Sequence, residues 1–181
     1  KFCGFKKNIK LKLLEKLVAA DVTNFENKIY AESSQVFNLN SPKQFQDILF
    51  NTMGLPTDNI RKIASGYSTD EESLNTLADQ GIGIANLLLE YRSLAKLLNT
   101  YITKLPIYLD NNNYIHTSFE QTIVTSGRLS SKDPNLQNIP VRNLYGQRIR
   151  ECFIPSMGNT LICADYSQIE LRILAHLSED P

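Results

Sequence analysis

The spacing of apolar positions divides the chain, near residue 105, into a helical part and a strand-rich part. Before that point, apolar residues recur every three or four positions, which predicts amphipathic helices. The predicted helices cover residues 8–20, 22–34, about 42–51, a short segment after Asp70, and 84–103. Ser41 and Pro42 stand at one helix start, where Ser suits the N-cap and Pro suits the first helical position. Residues 58–69 are predicted to form an exposed loop.

After residue 105, apolar positions occur in short runs rich in β-branched and aromatic residues, which is typical of strands. Strands are predicted over 114–125, 148–154 and 159–164, and a helix over 168–178. The polar stretch 126–147 is predicted to be a long loop, and loops of this length are usually functional or disordered. Helices followed by strands predict an α+β fold.

Composition sets limits on the class of protein. The 181 residues are 42% hydrophobic, enough for a buried core, and carry 19 basic and 19 acidic side chains. A neutral total neither favours nor excludes a nucleic-acid partner, because binding depends on where charges lie. Basic residues cluster over 1–16 and 142–150, and either cluster can simply be a solvated face. The three cysteines fit no metal or disulfide pattern, and Cys163 is expected to be buried in an apolar run. No stretch is long and apolar enough to span a membrane.

A carboxylate follows the last apolar run. Residues 161–164 are apolar and precede Asp165, so a buried strand would present this carboxylate at its end, on a rigid support. Mg²⁺ prefers oxygen ligands that are fixed in this way. The competing interpretation is an Asp at a strand-to-helix turn that makes only local hydrogen bonds. Glu170 also has a local interpretation, because Ser167 completes with it a Ser-x-x-Glu capping box at a helix start.

The polar loop is rich in side chains that donate hydrogen bonds. They are Arg128, Asn135, Gln137, Asn138 and Arg142. Arg, Gln and Asn can donate to purine N3 and pyrimidine O2, the minor-groove acceptors that every base pair presents. Such contacts would check base-pair geometry without reading sequence. Alternatively, the amides bond to the backbone of their own loop.

Together these stretches resemble the family A DNA polymerases, the bacterial DNA polymerase I type. Residues 126–131 and 135–142 resemble the minor-groove-tracking segment of that family, and residues 164–172 with 175–178 resemble its motif A. Stretches similar to its thumb are 37–45, 66–69 and 89–96. The likeness covers about residues 28–181, whereas residues 1–27 are only generically helical.

The resemblance implies two regions: a mainly helical thumb over 1–105, and a partial palm over 106–181 with antiparallel strands, the minor-groove loop and the motif A strand and helix. It implies a DNA-directed DNA polymerase, in which two Mg²⁺ ions support nucleotidyl transfer to a primer 3′-hydroxyl. The implied partners are primer-template DNA, dNTP and the remaining polymerase polypeptide, with fingers and the rest of the palm. The implied location is the bacterial cytoplasm, at the nucleoid and not at a membrane.

The resemblance also implies roles for individual residues. Asp165 would be a catalytic carboxylate that holds Mg²⁺, with the carbonyl of Tyr166 as a further ligand. Glu170 would take part in catalysis by packing against the sugar of the incoming nucleotide, where it blocks a ribose 2′-hydroxyl. Gln168 and Arg142 would contribute to the nucleotide pocket. The implied DNA contacts are Arg128, Asn135, Gln137 and Asn138 at the minor groove, and Arg92 and Lys96 at the backbone.

Two departures from the family pattern reduce the expected grip on DNA phosphates. Leu98 stands where the family tends to have Lys, and residues 62–65 read Lys-Ile-Ala-Ser where it often has Lys-Thr-Lys-Thr. The sequence starts without Met and stops at Pro181, before a fingers helix and a second carboxylate motif, so a fragment that is inactive alone is expected. The competing hypothesis is a non-catalytic DNA-binding remnant of a truncated or split polymerase gene. An incomplete palm would also expose apolar surface and promote self-association.

Overall fold

The computed structural model describes residues 4–5, 9–141 and 143–179. In chain order the elements are β1 (Gly4–Phe5), α1 (Ile9–Ser33), α2 (Pro42–Gln46), a π-helical segment (Asp47–Thr52), β2 (Lys62–Ile63), β3 (Gly66–Tyr67), α3 (Glu71–Asp79), α4 (Gly83–Leu97), a second π-helical segment (Leu98–Ile102), a 3₁₀ turn (Leu105–Tyr108), β4 (Ser118–Glu120), β5 (Ser130–Lys132), α5 (Leu144–Arg150), β6 (Phe153–Ile154) and α6 (Ile169–Ser178). The strand pairs are antiparallel: β1 with β6, β2 with β3, and β4 with β5. The predicted α+β class is confirmed.

Two clusters of buried apolar side chains form the core, and α1 and α4 contribute to both. One cluster is built from the helical part alone, around Phe45, Leu77 and Leu88. The other joins helical residues such as Leu97 to Ile149 and other residues beyond position 105. The core is therefore continuous across the predicted boundary, and the division into two regions stays a prediction. None of the described helices could span a membrane.

Local capping sets two helix starts where the sequence predicts them. Ser41 accepts a hydrogen bond from the backbone N–H of Gln44 at 3.5 Å, and Pro42 is the first residue of α2. Asp70 caps α3 by accepting from the N–H of Ser73 at 2.9 Å, and its other carboxylate oxygen accepts from Arg61 at 2.7 Å. These bonds, Ser73 first, hold the pKa of Asp70 below its usual value.

Several predicted boundaries in the first part are wrong. The helices predicted over 8–20 and 22–34 are one continuous helix, α1, because no residue near position 21 interrupts the backbone hydrogen bonds. The predicted exposed loop 58–69 contains the β2–β3 hairpin, and the backbone N–H of Ser68 donates to the carbonyl of Arg61 at 2.8 Å. Ser68 and Thr69 are buried, with 4% and 9% exposure.

The second part also differs from the prediction. Of the strand predicted over 114–125, only β4 forms, and β5 lies inside the predicted loop. The strand predicted over 148–154 is instead the end of α5 followed by β6. The reason is local: the side chain of Asn143 accepts from the N–H of Gly146 and caps a helix there. A short apolar run fits either a helix or a strand, so spacing alone could not decide.

The strand predicted over 159–164 does not form. Among the described residues, no strand lies in position to pair with residues 159–164. A single strand without a paired neighbour lacks the interstrand hydrogen bonds that would stabilise it. Ile162 is 88% exposed, and Cys163 is exposed, contrary to its expected burial. The helix predicted over 168–178 is confirmed as α6, but the capping box is wrong. Gln168, with φ of +50°, occupies the N-cap without a side-chain bond.

Candidate nucleic-acid interface

The polar loop folds around the buried hydroxyl of Ser131. This side chain, 1% exposed, lies 2.6 Å from the hydroxyl of Thr117 and accepts from the N–H of Leu136 at 3.1 Å. The backbone N–H of Ser131 donates to the side-chain oxygen of Gln137 at 3.0 Å. The pairing of β4 with β5 fixes one end of the same loop. The loop backbone is therefore held by internal hydrogen bonds, while many of its side chains are exposed.

Two of the predicted DNA-contacting amides support this loop. The Nε2 of Gln137 donates to the carbonyl of Leu129 at 3.1 Å. The Oδ1 of Asn135 accepts from the N–H of Gln137 at 3.0 Å and from that of Asn138 at 3.3 Å. The interpretation that the amides bond to their own loop is thus correct for Gln137 and for the oxygen of Asn135. Among the described residues the bonds of Asn135 use only its oxygen, and the side chain is exposed, so its amide nitrogen is available to donate to a ligand.

A groove of about 600 Å³ separates this loop from the end of the long helix. Lys96, Tyr101 and Lys104 contribute to the helical wall, and residues 130–135 with Asn138 form the loop wall. The hydroxyl of Tyr101 donates to the carbonyl of Asn138 and ties the two walls together. Lys96 also lines two further concavities, of about 520 and 310 Å³. The structure therefore brings Lys96, Asn135 and Asn138, three predicted DNA contacts, to one surface.

Arg92, a fourth predicted DNA contact, is half-buried and bonded within the protein. Its guanidinium donates to the carbonyl of Thr69, and to the Thr69 hydroxyl at 3.4 Å. The same group lies over the ring of Phe45, 4.4 Å from the centroid. Burial lowers the pKa of Arg92, and the nearby Asp70 opposes that shift. The side chain fastens α4 to the residues that precede α3.

The predicted catalytic residues lie on exposed chain. Tyr166 is 79% exposed, and Asp165 and Gln168 are exposed as well. Glu170 forms an ion pair with Arg128, with both side chains well exposed. The structure thus pairs Arg128, which is predicted to contact the minor groove near the primer end, with Glu170, which is predicted to contact the incoming nucleotide. Arg142, the other predicted nucleotide contact, lies outside the described residues.

Sequence reasoning missed part of the groove. Tyr101 looked like an ordinary apolar-face residue of a helix, and nothing in the sequence pairs it with Asn138, 37 positions away. Lys104 and Lys132 also line the groove but were not singled out. Lys132 forms an ion pair with Glu120, which lies on the neighbouring strand β4 and pairs in register with Ser130. The sequence did contain a signal for Lys132, because this basic residue stands beside the amide-rich residues that were predicted to contact DNA.

Comparison with known proteins identifies the family. The model of the family described as DNA polymerase family A matches residues 8–181. The chain belongs to DNA polymerase family A. It is 45% identical over 172 residues to DNA polymerase I of Synechocystis sp., covering 94% of this chain and 17% of that protein. It is 44% identical over 182 residues to DNA polymerase I of Bacillus caldotenax, covering 99% of this chain and 20% of the relative.

A solved structure agrees with this assignment. The chain is similar to the POL domain of Pol1 from M. smegmatis, which was solved in complex with DNA primer-template and dNTP. The TM-score is 0.85 at 38% identity, and the match covers 98% of this chain and 31% of the other. The family resemblance drawn from the sequence is confirmed. The chain spans about a fifth of the length of the curated relatives it matches.

Proposed function

We propose that this chain is the part of a DNA-directed DNA polymerase that holds primer-template DNA and supplies one carboxylate to the site of nucleotidyl transfer. The observation that carries the proposal is the family match over residues 8–181, together with one groove lined by Lys96, Asn135 and Asn138. A lysine suits phosphate, and amides suit minor-groove acceptors, so the groove has the chemistry of a duplex DNA site. The relatives are bacterial, which supports action on the nucleoid DNA of a bacterial cytoplasm.

Within this function the residues divide by role. Lys96 contacts the DNA backbone, and Asn135 and Asn138 contact the minor groove from the opposite wall. Gln137 shapes the loop that presents them, because both ends of its carboxamide are bonded to loop backbone. Arg128 reaches the primer end from the same loop. The helical part before residue 105 acts as the thumb, and the part after it as the palm.

The nucleotide side of the site involves motif A. Family A DNA polymerases generally depend on divalent metal ions. The described part of the chain contains no cluster of three or more His, Cys, Asp or Glu that could hold one. In this proposal Asp165 and the carbonyl of Tyr166 contribute two ligands, and the other ligands are supplied by residues outside the described part of this chain. Gln168 and Glu170 contact the incoming nucleotide, with Arg142 beside them.

This division of ligands predicts that the 181-residue chain alone does not extend a primer. A single carboxylate cannot fix two divalent ions against water in the geometry of phosphoryl transfer. The test is primer extension with the purified chain, first alone and then with the downstream polypeptide of a family A relative added in trans. We expect no extension alone, extension in trans, and loss of that extension in Asp165→Ala. Template-directed incorporation by the chain alone would contradict the proposal.

The second candidate is a DNA-binding remnant without catalytic function, favoured by the isolated carboxylate and by Leu98 where the family tends to have Lys. The same trans experiment separates the two. A remnant binds primer-template DNA but gives no extension with the added polypeptide. Extension in trans that depends on Asp165 excludes the remnant.

A further inference from the structure

Arg128 and Glu170 form an ion pair that joins the polar loop to α6. A terminal nitrogen of the Arg128 guanidinium donates to Oε1 of Glu170, 42 positions further along the chain. The family resemblance assigns the two side chains to different partners. It assigns Arg128 to the minor groove near the primer end, and Glu170 to the incoming nucleotide. In the structure the two side chains are instead bound to each other.

This ion pair can open without any loss of core packing. The side chains of Arg128 and Glu170 are 72% and 75% exposed, and α6 contributes no buried residue. The backbone next to Arg128 is nevertheless fixed, because the carbonyl of Leu129 accepts from Nε2 of Gln137 at 3.1 Å. The guanidinium of Arg128 can therefore turn away from Glu170 while its backbone keeps its place in the loop.

We propose that Glu170 competes with DNA for the guanidinium of Arg128, so that the ion pair is an autoinhibitory contact that a primer-template duplex must open. The inference rests on the proposed function and gives Glu170 a role toward DNA besides its proposed role toward the nucleotide. While the pair is closed, one donor of Arg128 is engaged and its charge is neutralised. The carboxylate of Glu170 also repels nearby phosphates. Both effects make the closed pair the weaker binder of DNA.

The size of the effect follows from the strength of exposed ion pairs. Such pairs favour the closed arrangement by a factor of about 1.4 to 5. When a ligand binds only to the open arrangement, its affinity falls in proportion to the open fraction. The open fraction is then about 0.15 to 0.4, so the ion pair should weaken DNA binding about two- to sixfold.

The test is binding of a fluorescent primer-template duplex to the full 181-residue chain, measured by anisotropy in a double-mutant cycle. Glu179→Gln is the matched control, because it removes an exposed carboxylate at the other end of α6. Glu170→Gln should strengthen binding about two- to sixfold more than this control does, whereas Arg128→Gln should weaken binding. In the Arg128→Gln background, Glu170→Gln should change the affinity only as much as the control. Circular dichroism checks that each variant is folded.

The direction of the two single changes distinguishes competition from a structural tie. If the ion pair only docks α6 on the loop, Glu170→Gln and Arg128→Gln should both weaken binding, and that result refutes the inference. If the strengthening by Glu170→Gln persists in full without Arg128, the effect is one of net charge and the inference fails. When the wild-type chain binds the duplex but Glu170→Gln behaves as its control, only the inference is wrong. When the wild-type chain does not bind the duplex, the proposed function fails and the inference fails with it.

Discussion

Arg92 provides the sharpest test of how the helical part works, because the family resemblance and the structure suggest different roles for it. The resemblance makes it a contact to DNA phosphate. In the structure its guanidinium is bonded to Thr69 and stacked on Phe45. We predict that Arg92→Ala mainly lowers the free energy of unfolding and only secondarily affects DNA affinity.

The magnitude follows from the two contacts that the substitution removes. A hydrogen bond from a charged donor contributes about 1.5–3 kcal/mol, and a partly exposed cation–π contact about 0.5–1 kcal/mol. Arg92→Ala should therefore lower the free energy of unfolding by about 2–4 kcal/mol. In a protein of this size, each kcal/mol corresponds to about 2–4 °C in Tm. The expected fall in Tm is about 4–16 °C.

Urea denaturation and thermal melting followed by circular dichroism measure this change, and fluorescence anisotropy measures DNA binding on the same samples. Lys96→Ala is the matched control, one turn further along α4 and exposed. It should change stability by no more than about 0.5 kcal/mol while weakening DNA binding. Arg92→Lys keeps the charge but loses the planar group, so it should remain destabilised. A stable Arg92→Ala variant with a weaker salt dependence of DNA binding would refute the structural role.

The remaining predictions concern local contacts. Asp70→Ala should lower the free energy of unfolding, measured by urea denaturation, by about 1 kcal/mol, because α3 loses its N-cap and the backbone N–H of Ser73 loses its acceptor. Asp70→Asn should lower it by only a few tenths of a kcal/mol, because Asn is also a good N-cap. Because folding lowers the pKa of Asp70, its stabilisation is present above about pH 4 and is lost as the pH falls further, which acid titration can follow. Gly146→Ala should lower the free energy of unfolding by about 1–3 kcal/mol, although Ala favours helices, because the added Cβ would lie 2.5 Å from the carbonyl oxygen of Pro140. An unchanged free energy of unfolding in urea denaturation would contradict this. Leu174→Glu should reduce self-association, measured by sedimentation, because it replaces an apolar side chain that is 60% exposed with a charged one. A wild-type chain that sediments as a monomer would contradict the expected association.

Features of the fold that depend on neighbouring residues could be predicted from the sequence. The start of α2 follows from Ser41 and Pro42, and that of α3 from Asp70. The two capping residues, Ser41 and Asp70, each accept from a backbone N–H three residues further on. The strand predicted over 159–164 was wrong because a strand needs a partner, and no pairing partner lies within the described residues. The helix α5 was missed because its cap, Asn143, lay inside a stretch that looked like loop.

The candidate site divides in the same way. Residue types alone indicated Asn135 and Asn138, and the family resemblance indicated Lys96. The structure brings all three to one groove. The partners of Arg92 could not be predicted, because Thr69 lies 23 positions away and their contact depends on how α3 packs on α4. Composition cannot distinguish an arginine that faces solvent from one that closes a tertiary contact.

The position of Asp165 shows why family membership and activity are separate questions for this chain. The carboxylate lies between residues without regular structure and α6, a helix with no buried residue. The ion pair of Arg128 with Glu170 joins α6 to the loop, and exposed pairs of this kind contribute only about 0–1 kcal/mol. A metal ligand must be held within about 0.5 Å of its working position, which so small an energy cannot ensure. If Asp165 has the metal-binding role proposed above, packing of the exposed apolar residues of α6 against a further polypeptide would supply this rigidity, so we expect metal binding at Asp165 only together with that packing.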